Sequence, residues 1–388
     1  MKKMLIVTNN PYKLGGLERV TIDFANMMET GYKVDILCVD KNISVDYSLY
    51  GLSSQVDTII DRNVQKDFSP NIFIKGVRFL NKKLLGITSI SFLESIYTKC
   101  CNYNSLIKII NDGSYDLVVA LQMKLSIILG SISSELKCKT IGWQHNSYEA
   151  YFNTRHNYYW NQHKLASKYL NLLNNCIVLT QEDAKNYKKY LGVEATCIYD
   201  PVRIGGSSRI NSDNPYILWV GRLEWQQKGL EHLLRIGELL KKKQSNIRIL
   251  VVGNGKDSHL LKKEIERRHL QSNVILEGYS KNVVEYYKKA SVLISTSNWE
   301  GFGLTLVEGM SYGVPIVAFD NTGPREIIAE SLSGYLIRKN DFERFAHYTY
   351  KLFTNSGENK VMSQNAVKRS KDFSYASIRN KWIEIIED

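Results

Sequence analysis

The apolar positions of this chain fall into short, β-branched runs, separated by longer stretches in which apolar residues recur every three or four positions. In the first half the runs are MLIVT (4–8), VDILCV (34–39), DLVVAL (116–121), KTIGWQH (139–145) and CIVLT (176–180). The pattern then restarts with YILWVG (216–221), IRILVVG (247–253), NVILEG (273–278), SVLIST (291–296) and PIVAF (315–319). Runs this apolar predict strands of parallel sheets, and the helical stretches between them, such as Glu18–Glu29 and Asn104–Asn111, predict the crossovers. The expected class is α/β, with two Rossmann-like parallel-sheet domains. Gly, Ser, Asn and Asp accumulate between Tyr199 and Asn214, which sets the expected boundary there: 1–199 for the first domain and 200–372 for the second. Open parallel sheets take ligands at the carboxyl ends of their strands, so two such sheets facing across a cleft would share one site.

Composition narrows the class. The 388 residues exceed what one core usually serves, and 44% hydrophobic with 23% charged residues is the profile of a globular protein. No apolar run approaches the ~18 residues of a membrane span, and the run in MKKMLIVTNN is too brief for a signal-peptide core. The six cysteines (Cys38, Cys100, Cys101, Cys138, Cys176, Cys197) show no CxxC spacing, so neither zinc nor disulfides are expected, and a reducing cytoplasm fits. The net charge of +12 divides into an excess of five over residues 1–200 and seven over 201–388. So even a spread is unlike the dense patch of a nucleic-acid binder, and no nucleic-acid partner is expected.

One cluster changes the picture. Lys75, Arg78, Lys82 and Lys83 lie in a stretch without an acidic residue from Asn71 to Leu93, interleaved with Phe73, Val77, Phe79, Leu80, Leu84 and Leu85. Asn71–Leu85 therefore suits a basic amphipathic helix on an anionic membrane. Arg155–Tyr169, with Tyr158, Tyr159 and Trp160 among Arg155, Lys164 and Lys168, is a second candidate. A solvated helix face accounts for either segment equally well.

The candidate chemistry sits at strand ends. In WEGFGLTLVEGM (299–310) a glycine-rich turn follows the SVLIST strand and leads into a helix from Leu304. Glu300 is thus at a strand's carboxyl end and Glu308 just over a turn into the helix, whose free N–H groups point to the same place. Such a loop can grip hydroxyls with its carboxylates and phosphate with its amides. The same spacing also suits a plain turn with Glu308 solvated. VGRLEWQQKG places Arg222 and Lys228 after the first strand of the second half, where two cations would neutralise a diphosphate; ordinary surface charge is the alternative. Gly15 and Gly16 precede a helix after the first strand and allow close approach of an anion. Gly253-Asn254-Gly255 tempts one towards a dinucleotide fingerprint, with Glu277 on the next strand. Its third glycine position holds Ser258, which argues for a nucleotide-side loop instead. His145 ends a first-half strand, opposite the Glu300 loop if the sheets face each other; a structural histidine is the alternative.

In this order, GG, GRL-x5-KG, GNG, EGY, EGFGLTLVEGM and YGVPIVAFDNTGPREII resemble the family 4 retaining glycosyltransferases of the GT-B fold, over nearly the whole chain. The resemblance implies the roles. Glu300 would hold hydroxyls of a donor hexose, with the backbone of Gly301, Phe302, Gly303 and Leu304 beside it. Glu308 would bind the ribose, and Arg222 and Lys228 the departing diphosphate, with Gly15 and Gly16 on its other side. Gly253, Asn254 and Tyr279 would border the nucleotide, and His145 would lie beside the donor sugar. A terminal helix over 373–388 would cross back to the first domain.

The implied activity is transfer of a hexose from a nucleotide-sugar, UDP-linked, to a glycan or lipid-linked acceptor in cell-surface polysaccharide synthesis, with an α-linkage. No cofactor and no divalent metal would be required, since no D-x-D motif is present and the Arg/Lys pair can take the ion's place. The expected location is cytoplasmic, at the inner face of the membrane. A nucleotide-sugar epimerase on the same fold and a membrane-associated glycan-binding scaffold are the competing readings. Asp200-Pro201-Val202-Arg203 departs from the family's linker pattern and is assigned no role.

Overall fold

Each of the ten apolar runs forms a strand in the computed structural model, which describes residues 1–41, 43–153, 158–205, 215–328 and 332–387. The chain divides into two units, Met1–Pro201 with Ile378–Asp388, and Val202–Ser377. The first holds β1 (Lys2–Thr8), β2 (Tyr32–Cys38), β3 (Asp57–Ile59), β4 (Leu117–Leu121), β5 (Lys139–Trp143), β6 (Asn175–Val178) and β7 (Ala195–Cys197). They form one parallel sheet in the order β3-β2-β1-β4-β5-β6-β7. The second holds β8 (Tyr216–Val220), β9 (Ile249–Val252), β10 (Val274–Gly278), β11 (Ala290–Ser295), β12 (Ile316–Phe319) and β13 (Gly334–Ile337), again all parallel, in the order β10-β9-β8-β11-β12-β13. Central strands such as β4 (LVVAL) and β9 (ILVV) are buried at every position, because helices cover both sheet faces.

Three strands carry no apolar run: β3, β7 and β13. All three lie at sheet edges and are partly exposed along their length. Ladder hydrogen bonds to one neighbour define them, rather than burial.

The expected division at 199/200 and 372/373 is placed by the structure at 201/202 and 377/378. Much of the linker, 206–214, lies outside the described residues. The terminal helix Tyr375–Glu387 contributes its last turns to the first unit. Trp382 is fully buried there, its ring 4.6 Å from Phe24 and 5.0 Å from Trp143. Lys139 Nζ donates to the carbonyls of Ile385 (2.9 Å) and Ile386 (3.3 Å), satisfying orphan acceptors of the helix end.

A buried carboxyl in the first unit makes stability depend on pH. Thr180 caps the helix Gln181–Asn186, accepting from the Asp183 N–H, and donates its hydroxyl to Asp183 Oδ2 at 2.7 Å. Asp183 Oδ1 accepts from the Tyr148 N–H at 2.7 Å. Burial pushes this carboxyl up to about 7, against those hydrogen bonds. The folded state therefore holds the proton more tightly than the unfolded chain. The stabilisation is complete below the ordinary aspartate value of ~3.9 and is lost as pH rises through about 7. Melting temperature should fall between pH 5 and pH 8, and Asp183→Asn should flatten that fall. Parallel profiles for the two proteins would clear Asp183 of the effect.

Candidate active site

The second sheet reverses its strand order between β8 and β11: the chain leaves β8 towards β9 and β10 on one side and resumes at β11 on the other. Such switch points are where open α/β sheets bind ligands. The loop after β8 bears Arg222 and Lys228, and the loop after β11 bears Glu300.

The two loops are laced together. The Asn298 N–H donates to Gln227 O (2.8 Å), Asn298 Nδ2 to Gln226 O (2.6 Å), and Thr296 Oγ1 to Lys228 O (2.9 Å). Gly229 permits the contact: its φ is +59°, and a Cβ there would fall 2.1 Å from Thr296 O. Lys228 Nζ is thereby held 2.7 and 2.9 Å from the two oxygens of Glu300, with both side chains less than one-fifth exposed. These residues belonged to separate roles by sequence; the structure makes them one charge-assisted pair. An ammonium has three donors, so at least one remains to Lys228. Arg222 is half exposed, with Nη1 3.6 Å from Glu224.

From Gly303, whose φ of +118° favours glycine, the chain enters the helix Leu304–Ser311. Gly301 and Phe302 are buried, and Phe302 packs edge-on against Phe373 at 5.6 Å. Glu308 is only 7% exposed, and its Oε2 accepts from the buried Tyr287 hydroxyl at 2.9 Å. A solvated-helix reading of Glu308 is therefore wrong. Tyr287 carried no sequence signal, since it lies on a different helix, Val284–Lys289.

The other strand-end loops are more self-contained. A Cβ on Gly253 would meet Gly221 O at 1.9 Å, so close packing of two strand ends already demands glycine there. Asn254 Oδ1 accepts from the Gly255 N–H (2.8 Å) and Ser258 Oγ (2.6 Å), which ties this loop to the start of the helix Ser258–Arg267. Tyr279, beyond β10, is half exposed.

The first sheet has its own switch point, between β1 and β4. Gly15 and Gly16 follow β1 and open the helix Gly16–Met28. The Gly15 N–H donates to Tyr50 Oη at 2.9 Å and its backbone is extended, so glycine is not required there by conformation. His145 follows β5, its side chain buried and its ring 4.3 Å from Trp143. Asp200 Oδ1 lies 3.4 Å from His145 Nδ1, without hydrogen-bond alignment, and neither imidazole nitrogen has a hydrogen-bond partner among the described residues. A buried imidazole so unsatisfied is costly unless a ligand completes it. Asp200, passed over in the linker, is thus a neighbour that the departure from the family pattern concealed. Among the described residues, no group of three or more His, Cys, Asp or Glu side chains is placed to hold a metal ion.

Residues 203–369, almost all of the second unit, match the family described as "Glycosyl transferases group 1". The second unit is a group 1 glycosyl transferase domain. Two curated relatives agree. The chain is 29% identical over 210 residues to the poly(glycerol-phosphate) alpha-glucosyltransferase of Bacillus subtilis (53% of this chain, 31% of that one). It is 30% identical over 224 residues to the amylovoran biosynthesis glycosyltransferase AmsD of Erwinia amylovora (54% and 61%). The chain thus spans about a third of one relative and three-fifths of the other. In fold it is similar to a TarM mutant of S. aureus crystallised with fondaparinux, alpha-GlcNAc-glycerol and UDP: TM-score 0.79 at 16% identity, covering 100% of both chains. The group 1 domain and the β1–β7 unit together have the GT-B fold.

Proposed function

We propose that this chain is a retaining, family 4 glycosyltransferase that moves a hexose from a UDP-sugar to a glycan or lipid-linked acceptor in surface polysaccharide synthesis, forming an α-linkage. The observation that carries the reading is the Lys228–Glu300 pair at the β8/β11 switch point, followed in the chain by the helix Leu304–Ser311, which holds a buried Glu308 just over a turn in. The names of the relatives support it: an alpha-glucosyltransferase, a polysaccharide-synthesis enzyme and a protein that binds UDP.

The chemistry follows from charge. As the nucleoside diphosphate departs, positive charge grows on the anomeric carbon and negative charge on the leaving oxygen. Lys228, Arg222 and the N–H groups at Gly303 and Leu304 are preorganised donors for that negative charge. Glu300 orients the hexose through its hydroxyls and fixes Lys228 at the same time. Glu308 takes the ribose hydroxyls. The acceptor hydroxyl attacks the face from which the diphosphate leaves, giving up its proton to a phosphate oxygen. The cations do what a divalent ion does elsewhere, so no metal is required.

The membrane side of the proposal rests on Asn71–Leu85. Asn71 caps a helix, Ile72–Leu80, that continues through a wider turn to Leu85, and Ile72 (88%), Phe73 (73%), Leu84 (73%) and Leu85 are exposed beside the basic residues. No helix among the described residues is long and apolar enough to cross a membrane. We place the protein on the cytoplasmic face, attached by this helix. In the second candidate segment, Arg155–Tyr169, Arg155 lies outside the described residues, Tyr158 is exposed, Tyr169 is buried, and Trp160 Nε1 donates to Lys82 O at 3.2 Å.

A panel of nucleotide-sugars, tested for binding and for slow hydrolysis with and without EDTA, tests the reading. One UDP-sugar should bind and be hydrolysed at a rate EDTA leaves unchanged. Failure of every nucleotide-sugar would refute the function, and inactivation by EDTA would refute the metal-free mechanism.

A further inference from the structure

The first unit contains a pocket lined by none of the candidate site residues above, with about 510 Å³ of non-protein space that is partly open to solvent. Its floor is the helix Gln122–Ile132, which contributes Lys124, Ile127 and Ile128, and Arg78 reaches it from the helix Ile72–Leu80.

Two cations therefore share one pocket. Arg78 is held in place by Nε donating to Ile96 O (2.6 Å) and Nη2 to Cys100 Sγ (3.1 Å), with its guanidinium 4.9 Å from the Tyr97 ring. Lys124 Nζ stands 5.7 Å from the Phe68 ring. No acidic residue lines the pocket, and neither cation has an ion pair among the described residues. Asp40, which acts on Lys124 through space, is itself paired with Lys13 at 3.1 Å. The nearby thiol and phenols supply no charge either, since burial raises Cys101 to about 11 and raises Tyr97 as well. The result is a lysine whose charge is disfavoured, first by its surroundings and then by Arg78. Like charges facing one another without a counter-charge each disfavour the other's charged form, and an anion between them favours both.

Apart from Gln162, the rest of the lining is largely apolar or aromatic, including Ile127, Ile128, Tyr159 and Leu165. The helix that aims Arg78 inward leaves Ile72, Phe73 and Phe79 exposed on the outside. An occupant must therefore carry both a phosphate-like head and an apolar chain.

We infer that this pocket binds the phosphate head of an amphiphile, with the phosphate between Arg78 and Lys124 and the first part of its apolar chain along Ile127, Ile128 and Leu165. The inference deepens the acceptor side of the proposed reaction, and for that meaning it rests on the glycosyltransferase reading; the binding itself does not.

The test is calorimetric titration of the full chain with farnesyl phosphate, farnesol and inorganic phosphate, with UDP titrated in parallel. Farnesyl phosphate should bind saturably, and farnesol and inorganic phosphate each about tenfold more weakly or worse. Lys124→Gln should weaken farnesyl phosphate about tenfold, the scale of one charged hydrogen bond, and Lys124→Arg should restore it. Lys124 is exposed, so these variants should fold. Absence of saturable binding, equal affinity in Lys124→Gln, or farnesol or free phosphate binding as tightly as the amphiphile would each overturn the assignment. Loss of the amphiphile with UDP still bound refutes the pocket alone. Loss of UDP with the amphiphile still bound refutes the glycosyltransferase reading alone.

Discussion

Glu308→Ala lowers affinity for UDP by about ten- to hundredfold, while Glu300→Ala leaves UDP affinity within about threefold and slows transfer by roughly a hundredfold or more; this is the expected result of separating the two carboxylates. The reasoning starts from what each carboxylate touches. Glu308 is buried and its Oε2 accepts from the Tyr287 hydroxyl, so it is an acceptor already oriented in a desolvated site, suited to a ribose hydroxyl. A charged hydrogen bond removed from a desolvated site costs ~1.5–3 kcal/mol, which sets the affinity range. Glu300 instead fixes Lys228 at 2.7 and 2.9 Å. Truncating it releases the ammonium from the position where charge develops, and loss of one such preorganised donor costs about 10²–10³ in rate. Equilibrium titration with UDP and transfer rates at saturating donor separate the cases. If Glu300→Ala weakened UDP more than Glu308→Ala did, the assigned roles would be reversed.

The second large effect is on stability. Trp382→Ala should cost ~3–5 kcal/mol, the range for deleting a buried aromatic ring. Trp382 lies in the terminal helix, fully buried between Phe24 and Trp143 of the same unit. Its indole Nε1 has no hydrogen-bond partner among the described residues, so the loss is one of packing. For a unit of this size the shift in the first unit's melting is about 10 °C, read by calorimetry. Val361→Ala, at a half-exposed position, should shift melting by no more than about 2 °C. Comparable shifts in the two variants would mean that the terminal helix does not stabilise the unit as its packing indicates.

Trp382 and the ten apolar runs illustrate how far the pattern reaches. A run such as LVVAL or ILVV encodes its strand because nearly every residue must leave water, and that demand is local. The edge strands β3, β7 and β13 lack the demand on at least one face, so their sequences say little and pairing with a neighbour decides them. The restart of the pattern in the second half, and the turn into a helix at Gly303-Leu304, are equally local properties of apolar spacing and glycine.

What only the tertiary structure decided is which strand ends meet. Lys228 and Glu300 are far apart in the chain, and nothing near either residue announces the other. Their pairing depends on β8 and β11 being neighbours, and on Thr296 and Asn298 hydrogen-bonding the loop that holds Lys228. Glu308 looked as suited to water as to a site until burial beside Tyr287 settled its surroundings. Gly253 had the look of a ligand contact, yet its missing side chain first serves the approach to Gly221. Hydrophobic periodicity acts within one element, whereas convergence of charges is set by sheet order. Sheet order is a sum of many weak packing choices that no single stretch of sequence contains.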